Sequence, residues 1–491
     1  MAIANSLANR LKDPGLAVEA ANVGGEWVGS AAARFAVTNP STGETLATLP
    51  DLGATETRAA IATAAKVQKQ WAARTGKERA AVLRRLYDLM VANADDLAAI
   101  LTAEMGKPLA EAKGEILYGA SYVEWFAEEA KRIYGDVIPA PLADRRIIVL
   151  KQPVGVVGAI TPWNFPNAMI ARKMAPALAA GCTMVAKPAA QTPLSMLALA
   201  LLAERAGAPQ GAFSVITSTR SAEIGAELTG NELVRKLTFT GSTGVGRILM
   251  RQASEQIKRL SLELGGNAPF IVFDDADIDA AVEGAMISKY RNAGQTCVCA
   301  NRLYVQSGVY AAFAEKLARK VAALKVGDGF GVGVTTGPLI DAAALAKVES
   351  HVADAVAKGG KVVLGGERLP TGELFYAPTI ITGATPQMLL AKEETFGPVA
   401  PLFKFDTVEE VIAMANDTEF GLASYFYARD LSRVFRVAEA LEYGMVGINT
   451  GLISTEVAPF GGVKQSGLGR EGSKYGIEDY LDIKYLAMGG L

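Results

Sequence analysis

Histidine and cysteine are scarce in this sequence. Its 491 residues include one histidine, His351, and three cysteines, Cys182, Cys297 and Cys299. A zinc site built from histidine and cysteine ligands would need nearly all of them, and a Ser-His or Cys-His relay would have to use His351. Three cysteines also cannot form a disulfide framework, so we expect a reducing compartment. The composition therefore argues against most metallohydrolases and triad hydrolases, and we predict no metal site.

An excess of one charge and a long apolar run are also missing. The 49 Lys and Arg nearly balance the 51 Asp and Glu, which argues against an electrostatic nucleic-acid binder. The most apolar helical stretch, 196–203, is far short of the ~18 residues that suggest a membrane span. Residues 1–15 lack the apolar core of a signal peptide. We expect a cytoplasmic protein that binds neither nucleic acid nor a membrane.

The periodicity of the sequence changes along the chain. Residues 77–133 follow a helical pattern with a break at Gly106-Lys107-Pro108, and residues 147–152 predict an edge strand or hairpin. From 155 to 273, and again from 303 to 449, short β runs alternate with helical stretches, which is typical of mostly parallel sheets. Because the length implies about three domains, we predict an α/β fold with two parallel-sheet domains and a small β excursion.

A glycine-rich turn, Thr240-Gly241-Ser242-Thr243-Gly244-Val245-Gly246, follows a predicted strand and precedes a helix predicted to start near Arg247. Backbone N–H groups in such a turn can approach a phosphate at a helix N-terminus. The glycines are spaced G-x-x-G-x-G, however, and not as in the dinucleotide-binding G-x-G-x-x-G. Taken alone, the turn is equally consistent with tight packing of a helix on a strand.

Cys297 lies in the polar segment Gly294-Gln295-Thr296-Cys297, where a thiolate could be exposed. Cysteine can act as a nucleophile without histidine if its surroundings lower its pKa. The alternative is a small buried apolar residue, which fits Cys182 and Cys299 better because apolar or small residues flank both.

Glu263 stands between two leucines in Leu262-Glu263-Leu264-Gly265-Gly266. Apolar surroundings raise the pKa of a glutamate towards the range that a general base needs. A glutamate at a strand end that points to solvent is the alternative, and the local sequence favours it.

The segments around Glu263 and Cys297 resemble the active-site signatures of the aldehyde dehydrogenase superfamily. Further matches follow in the family's order over essentially the whole chain: Thr161-Pro162-Trp163-Asn164-Phe165-Pro166, Lys187-Pro188, the glycine-rich turn, Glu393-Glu394-Thr395-Phe396-Gly397-Pro398 and Pro459-Phe460-Gly461-Gly462. The resemblance implies an aldehyde dehydrogenase-like fold with an NAD(P)-binding domain (1–135 and 154–265), a catalytic domain (266–465) and an oligomerisation segment (136–153 and 466–491). Exposed edge strands in that segment call for a partner chain, so we expect a homodimer or homotetramer.

The resemblance also implies a mechanism that needs no histidine. Cys297 would attack the aldehyde, the Asn164 amide and the Cys297 backbone N–H would hold the oxyanion, and Glu263 would activate the water that hydrolyses the thioester. Glu263 argues against relatives that transfer the acyl group to coenzyme A or phosphate. The implied cofactor-binding residues are Trp163, Asn164, Lys187, Pro188, Ala189, Ala190, Gly241, Ser242, Thr243, Gly246, Leu264, Glu394 and Phe396.

The position of Ala190 bears on the choice of cofactor. Family members selective for NAD usually carry a glutamate there, which repels the 2′-phosphate of NADP. Ala190 does not exclude NADP, although the serine that NADP-preferring relatives often carry is missing as well. We predict NADP as the cofactor and leave NAD as an accepted alternative.

Three further positions predict the substrate. Arg172, Arg291 and Ser454 match places where relatives that act on uncharged aldehydes carry aromatic residues. Because a guanidinium binds a carboxylate through its planar fork, the match to the succinate-semialdehyde dehydrogenase subfamily implies a semialdehyde acid. We predict succinate semialdehyde, with glutarate semialdehyde as the close competitor and a broader aldehyde specificity as the remaining alternative. A structural ion pair is the alternative for either arginine.

Two features remain open. The resemblance permits a regulatory disulfide between Cys297 and Cys299, but a bridge across one residue is geometrically awkward, and a packing role for Cys299 is slightly favoured. His351 is predicted to be a bystander on the polar flank of a helix. The apolar stripe of that helix is predicted to consist of Leu345, Val348, Val352 and Val356.

Overall fold

A computed structural model describes residues 3–491. Its helices are α1 (Asn5–Ala8), α2 (Ala54–Ala73), α3 (Gly76–Ala92), α4 (Ala94–Met105), α5 (Leu109–Glu129), α6 (Ala168–Ala180), α7 (Leu194–Arg205), α8 (Ser221–Gly230), α9 (Thr243–Ser254), α10 (Ile278–Tyr290), α11 (Tyr310–Ala322), α12 (Ala342–Ala357), α13 (Leu389–Lys392), α14 (Val408–Asn416) and α15 (Leu431–Ala440). None of the helices within this range is both long and apolar enough to cross a bilayer.

The strands alternate with these helices over most of the chain. They are β1 (Ala21–Val23), β2 (Glu26–Val28), β3 (Arg34–Thr38), β4 (Thr45–Pro50), β5 (Asp136–Ile138), β6 (Arg145–Pro153), β7 (Val156–Ile160), β8 (Thr183–Lys187), β9 (Phe213–Val215), β10 (Val234–Thr240), β11 (Arg259–Glu263), β12 (Ala268–Val272), β13 (Ala300–Gln306), β14 (Lys361–Leu364), β15 (Thr379–Thr382), β16 (Val399–Phe405), β17 (Ala423–Tyr427), β18 (Met445–Ile448), β19 (Gly467–Leu468) and β20 (Leu481–Gly489).

The first sheet has the strand order β19-β11-β10-β7-β8-β9-β1-β2. Its five central strands run parallel, and β1, β2 and β19 pair antiparallel at the two edges. Strands such as β8 are short and buried along their length, as expected for parallel strands covered on both faces. The carboxyl ends of β10 and β11 bring the glycine-rich turn and Glu263 to the same edge of the sheet.

The second sheet has the order β14-β15-β16-β13-β12-β17-β18. All of its strand pairs are parallel except the one between β14 and β15. Cys297 lies just before β13, at the end of a loop that leaves α10 through a short 3-10 turn, Arg291–Gly294. Cys297 therefore lies where the second sheet faces the edge of the first sheet that carries Glu263.

A third, small sheet has the order β20-β6-β5 and is antiparallel. It carries exposed apolar side chains, among them Val137, Ile483 and Tyr485, which are 77%, 69% and 63% exposed. Only residues 481–489 of the predicted segment 466–491 pair in this sheet. Gly467–Leu468 pairs instead with β11 of the first sheet, and this close approach needs Gly467, whose φ is +122° and whose Cβ would meet the Leu262 carbonyl.

The helical layer predicted for residues 77–133 is confirmed as α3, α4 and α5. The predicted break falls between α4 and α5, where Gly106 adopts a left-handed φ of +89°. A Cβ at Gly106 would meet the rings of Pro338 and Pro40. The turn that carries Lys107 therefore packs closely against two proline rings.

Two local predictions are wrong. The helix after the glycine-rich turn begins at Thr243, four residues before Arg247, because Ser242 caps it by accepting the Val245 N–H. His351 is not on a polar flank: it is 1% exposed, whereas Val356 of the predicted apolar stripe is 50% exposed. The buried face of α12 is rotated towards His351 because the segment 393–395 packs there and supplies hydrogen-bond partners.

Candidate active site

Cys297 borders two adjoining cavities. The first, here called the arginine cavity, has a volume of about 300 Å³, and its walls include Gly114, Phe165, Arg172, Arg291 and Ser454. The second, here called the tryptophan cavity, has a volume of about 210 Å³ and lies between Trp163, Leu264 and Phe396. The thiol therefore sits between a cavity with arginine walls and a cavity that meets the glycine-rich turn.

The loop that carries Cys297 is held in a strained conformation. Asn292 and Ala293 adopt left-handed φ angles of 53° and 54°, which cost energy in residues other than glycine. Two glycines allow neighbouring segments to approach: a Cβ at Gly294 would meet the Gly397 carbonyl, and one at Gly266 would lie 2.5 Å from the Cys297 carbonyl. Such strain persists only where the surroundings impose it, and it is common at functional sites.

The protonation of Cys297 depends on its charged neighbours. Burial raises the pKa of the Cys297 thiol to about 12; the nearby Glu394 and Glu263 carboxylates add to this shift, whereas Arg172 and Arg291 oppose it. These surroundings favour the neutral thiol and do not lower its pKa, and a lowered pKa is the condition that the sequence analysis set for a nucleophile without histidine. A reaction through the thiolate requires a base that takes its proton, and the two guanidiniums favour the thiolate once it forms.

Glu263 is a buried carboxylate at the end of β11. It is 2% exposed, and neither side-chain oxygen has a hydrogen-bond partner among residues 3–491. Burial, followed by the Glu471 carboxylate, raises the pKa of Glu263 well above its usual value, while Arg172 and Lys173 oppose the shift. The alternative of a strand-end glutamate in solvent is excluded, and the group has the surroundings of a general base.

Asn164 lies against the Cys297 loop. Its side-chain Nδ2 donates to the Gln295 carbonyl at 3.1 Å. An amide nitrogen carries two N–H groups, so the second is left without a partner among the described residues. The Asn164 carbonyl accepts from Lys107 Nζ at 2.7 Å and from Asn292 Nδ2 at 3.0 Å. The backbone of Asn164 is thus held firmly while one side-chain N–H remains to bind an oxygen.

The two predicted arginines differ in their surroundings. Arg172 is 2% exposed, stacks over the Phe460 ring at 4.4 Å and forms an ion pair with Glu471, which also pairs with Lys173. Arg291 is half-buried over the Phe165 ring at 5.2 Å, and within residues 3–491 it forms no ion pair. The ion pair that the sequence left as an alternative role therefore exists for Arg172, although Arg172 also borders the arginine cavity. Among the described residues, Arg291 borders the same cavity without an ion-pair partner.

The tryptophan cavity collects many of the predicted cofactor residues. Those on its walls are Trp163, Asn164, Gly241, Ser242, Leu264, Glu394 and Phe396. Trp163 and Phe396 pack edge to face, with ring centroids 5.5 Å apart. Glu394 is placed by the Gly266 N–H, which it accepts at 3.2 Å, and burial raises the pKa of Glu394 to about 7.

The remaining predicted cofactor residues are not on the walls of this cavity. Thr243 and Gly246 belong to the first turn of α9, and a Cβ at Gly246 would lie 2.5 Å from the Leu264 side chain. Lys187 ends β8 and begins the segment Lys187-Pro188-Ala189-Ala190; its buried Nζ donates to the Pro188 carbonyl at 3.0 Å. Burial lowers the pKa of Lys187 to about 8.

A family model described as "Aldehyde dehydrogenase family" matches residues 27–486. This chain belongs to that family. This match confirms the family predicted from the motifs. The predicted fold class is confirmed as well, because the solved structure of a related dehydrogenase, described below, superimposes on this chain.

Close relatives lie within this family. The chain is 66% identical to a glutarate-semialdehyde dehydrogenase of Pseudomonas aeruginosa, over 98% of this chain and 100% of the relative. It is 64% identical, with the same coverage, to an NADP(+) succinate-semialdehyde dehydrogenase of Escherichia coli. The crystal structure of a succinate-semialdehyde dehydrogenase from Burkholderia pseudomallei is 63% identical and superimposes with a TM-score of 0.96 over 98% of this aldehyde dehydrogenase and 99% of that chain.

Two charged residues of this aldehyde dehydrogenase escaped the sequence analysis. Glu471 forms ion pairs with both Arg172 and Lys173 and raises the pKa of Glu263, and Lys107 donates to the backbone carbonyl of Asn164. Glu471 has no local signal that separates it from a surface glutamate. Lys107 lies in the helix break Gly106-Lys107-Pro108. The sequence shows only a lysine at a turn, which does not indicate that its side chain is buried.

The other two cysteines and the histidine have packing roles in the structure. Cys182 and Cys299 are buried, as predicted, and all three cysteines are free thiols. Cys299 Sγ lies 3.4 Å from Nζ of the buried Lys289. His351 bonds Thr395 Oγ1 at 3.2 Å and Glu393 Oε2 at 3.4 Å, and so braces the segment that carries Glu394 and Phe396.

Proposed function

We propose that this aldehyde dehydrogenase oxidises succinate semialdehyde to succinate and uses NADP(+) as the cofactor, with glutarate semialdehyde as the competing substrate. One observation carries the proposal: Cys297, Arg172 and Arg291 border the same cavity of about 300 Å³. A guanidinium without a carboxylate partner is suited to bind the distal carboxylate of a semialdehyde acid. The names of the 66% and 64% identical relatives support the same substrate class.

Cys297 is proposed as the nucleophile. Its Sγ attacks the aldehyde carbon, and the proton passes to a base in the site. The oxyanion that forms accepts hydrogen bonds from the free N–H of Asn164 Nδ2 and from the Cys297 backbone N–H. Donors already held in position stabilise this charge without reorganising, and one such donor is worth ~10²–10³ in kcat. The bonds that fix the Asn164 backbone support this role.

Glu263 is proposed as the general base that activates water to hydrolyse the thioester on Cys297. Its buried, unpartnered oxygens can accept a proton, and its raised pKa makes it a stronger base than an exposed glutamate. Glu471, held in its ionised form by Arg172 and Lys173 despite its burial, keeps the pKa of Glu263 high. A base of this kind favours hydrolysis over transfer of the acyl group to coenzyme A or phosphate.

The residues around the tryptophan cavity fit a nicotinamide dinucleotide. The N-terminus of α9, capped by Ser242, has N–H groups that would hold a pyrophosphate. An added Cβ at Gly244 would meet no atom within 4 Å, so the backbone there is open. Lys187 and Glu394 would hold the ribose hydroxyls, and Phe396 would lie beside the nicotinamide. When bound, the cofactor supplies the hydride acceptor for the aldehyde carbon.

The choice of NADP rests on the surroundings of Lys187. Its ammonium forms no ion pair among the described residues, the one carboxylate that raises its pKa is Asp51, and Ala190 adds no negative charge. Lys187 is therefore available to pair with a 2′-phosphate. Its pKa of about 8 means that this charge is present in neutral solution and is lost as the pH rises above that value.

A division of labour among the three sheets is part of the proposal. The first sheet forms the cofactor domain, the second forms the catalytic domain, and the small sheet joins subunits into a homodimer or homotetramer in the cytoplasm. The exposed edges β5 and β20, and apolar side chains such as Val137 and Ile483, support the assembly role. Light scattering of the purified protein gives the oligomeric state directly.

The test of the function is a matrix of substrates and cofactors. Formation of NADPH or NADH is measured with succinate semialdehyde, glutarate semialdehyde and butanal, which has a methyl group in place of the carboxylate of succinate semialdehyde. We expect the two acids to have far higher kcat/KM values than butanal, NADP to be preferred to NAD, and coenzyme A to have no effect. Equal kcat/KM values for butanal and the acids would refute the substrate class, and an NAD to NADP ratio well above unity would refute the cofactor.

A further inference from the structure

A fully buried ion pair lies behind Asn164, on the wall of the arginine cavity. Lys107 Nζ and Glu115 Oε2 are 2.7 Å apart, and each side chain is 1% exposed. Removing two charges from water costs more than their attraction returns unless their remaining hydrogen-bonding atoms find partners. The other contacts of the pair show where those partners are.

Lys107 makes its second bond to the site itself. Its Nζ donates to the Asn164 carbonyl at 2.7 Å and lies 3.8 Å from the centre of the Phe165 ring. Asn292, in the strained loop before Cys297, donates to the same carbonyl from the other side at 3.0 Å. The backbone of Asn164 is therefore held by Lys107 and by the nucleophile loop, which fixes the point from which the side-chain amide extends to the Gln295 carbonyl.

Glu115 makes its second set of bonds to helix α6. Its Oε1 accepts the N–H groups of Asn167 at 3.0 Å and of Ala168 at 3.2 Å. The first N–H groups of a helix have no partner within the helix, and the side chain of Asn167 does not cap α6. Glu115 therefore takes the place of the cap on the helix that carries Arg172.

The position of Lys107 is itself fixed by the chain. Lys107 lies between Gly106, whose left-handed backbone fits against two proline rings, and Pro108, which precedes α5. Glu115 is two turns further along α5. The rigid turn and the helix thus present the two charges as one unit to Asn164 and to α6.

We propose that Lys107 and Glu115 are positioning residues, which hold the Asn164 amide and the start of α6 in register with Cys297. The inference rests on the proposed role of Asn164 in binding the oxyanion. Under this inference, a helix break that is distant in sequence from every signature motif positions the Asn164 amide, which donates to the oxyanion. Loss of the pair would misplace that donor and lower kcat while Cys297 keeps its reactivity.

A double-mutant cycle tests the inference. Lys107→Met with Glu115→Gln removes both charges together, because Lys107→Met alone would leave a buried unpaired carboxylate and destabilise the fold. We expect kcat to fall about 10- to 100-fold, within the range for one oxyanion donor, with the KM for the cofactor and the rate of Cys297 alkylation by iodoacetamide unchanged. In the Asn164→Ala background the same pair of substitutions should lower kcat by less than about twofold.

The outcomes separate the two proposals. If Asn164→Ala lowers kcat but the charge-pair variant does not, or if the two losses multiply, the positioning inference is overturned and the role of Asn164 stands. If Asn164→Ala retains full kcat, the proposed oxyanion donor is wrong and the positioning inference falls with it. If the charge-pair variant does not fold, Lys107→Gln with Glu115→Gln, which leaves no unpaired charge and keeps hydrogen-bonding groups at both positions, enters the same cycle, with a smaller loss expected and the same criteria.

A matched control lies on the same helix. Lys113 of α5 pairs with Asp95 at 2.7 Å, and both side chains are about half exposed. Lys113→Met with Asp95→Asn makes the same chemical change at the surface and should leave kcat unaltered. Thermal unfolding of both variants shows whether any loss of kcat merely follows a loss of stability.

Discussion

Replacing Arg291 by alanine tests the carboxylate-binding site most directly. Arg172 is the poorer choice, because its removal would also leave Glu471 with one cation fewer in a buried cluster. Arg291 is half-buried and forms no ion pair among the described residues. Its truncation therefore removes a charge from the arginine cavity without breaking an ion pair, and the remaining carboxylate it affects is Glu111, whose charged form Arg291 favours.

The size of the effect follows from the bond that is lost. A hydrogen bond to a charged group contributes about 1.5–3 kcal/mol, and 1.4 kcal/mol is tenfold in an equilibrium constant. The kcat/KM for succinate semialdehyde should therefore fall about 10- to 150-fold in Arg291→Ala. The loss should appear mainly in KM, since the carboxylate is bound equally in the ground state and the transition state. Arg291→Lys keeps the charge but loses the planar fork. Its kcat/KM for succinate semialdehyde should lie between those of the wild type and of Arg291→Ala.

The assay compares succinate semialdehyde with butanal at saturating NADP. Butanal has the same chain length without the carboxylate, so its kcat/KM should change by less than about threefold in Arg291→Ala, because no charged bond is lost. Alkylation of Cys297 provides the second readout: without Arg291 the pKa of the thiol should rise further, so alkylation at a given pH should slow slightly. Equal losses for both aldehydes would refute the proposed carboxylate site.

Three further predictions concern the base, the cofactor and the length of the substrate. Glu263→Gln should lower kcat by a factor of about 10²–10⁴. It should also abolish the rise in the rate of thioester hydrolysis with pH, because the raised pKa of Glu263 keeps the wild-type base protonated at low pH. A variant that keeps this rise in single-turnover assays would contradict the assignment of Glu263 as the base. Ala190→Glu should lower the NADP to NAD ratio of kcat/KM by at least about fivefold, because like charges ~4 Å apart repel by about 1–4 kcal/mol. An unchanged ratio would place the 2′-phosphate elsewhere. Gly114→Val should lower the glutarate to succinate semialdehyde ratio of kcat/KM by about tenfold, because an added side chain enters open space in the arginine cavity, whereas equal effects on both acids would show that the longer chain does not reach Gly114.

The local sequence carried a large part of the site. Cys297, Glu263 and Asn164 lie in compact motifs, and the structure brings these motifs together, with Cys297 and Asn164 on the wall of one cavity. Parallel β runs with helices between them were readable because both faces of such strands are apolar, and the break at Gly106 was readable because glycine and proline interrupt a helical period. The order of the motifs along the chain was enough to identify the family.

Burial and pairing of charges were decided only by the tertiary structure. Arg172 and Glu471 are about 300 positions apart, and Lys107 meets Asn164 across 57 positions, so no local pattern could announce either contact. The same holds for His351. The helical pattern predicted that it lies on a polar flank, but in the structure the segment 393–395 packs on it and buries it. A sequence motif records which groups the chemistry needs, whereas the pKa of a group and the orientation of an amide depend on the charges and dipoles that folding brings within a few ångströms of it.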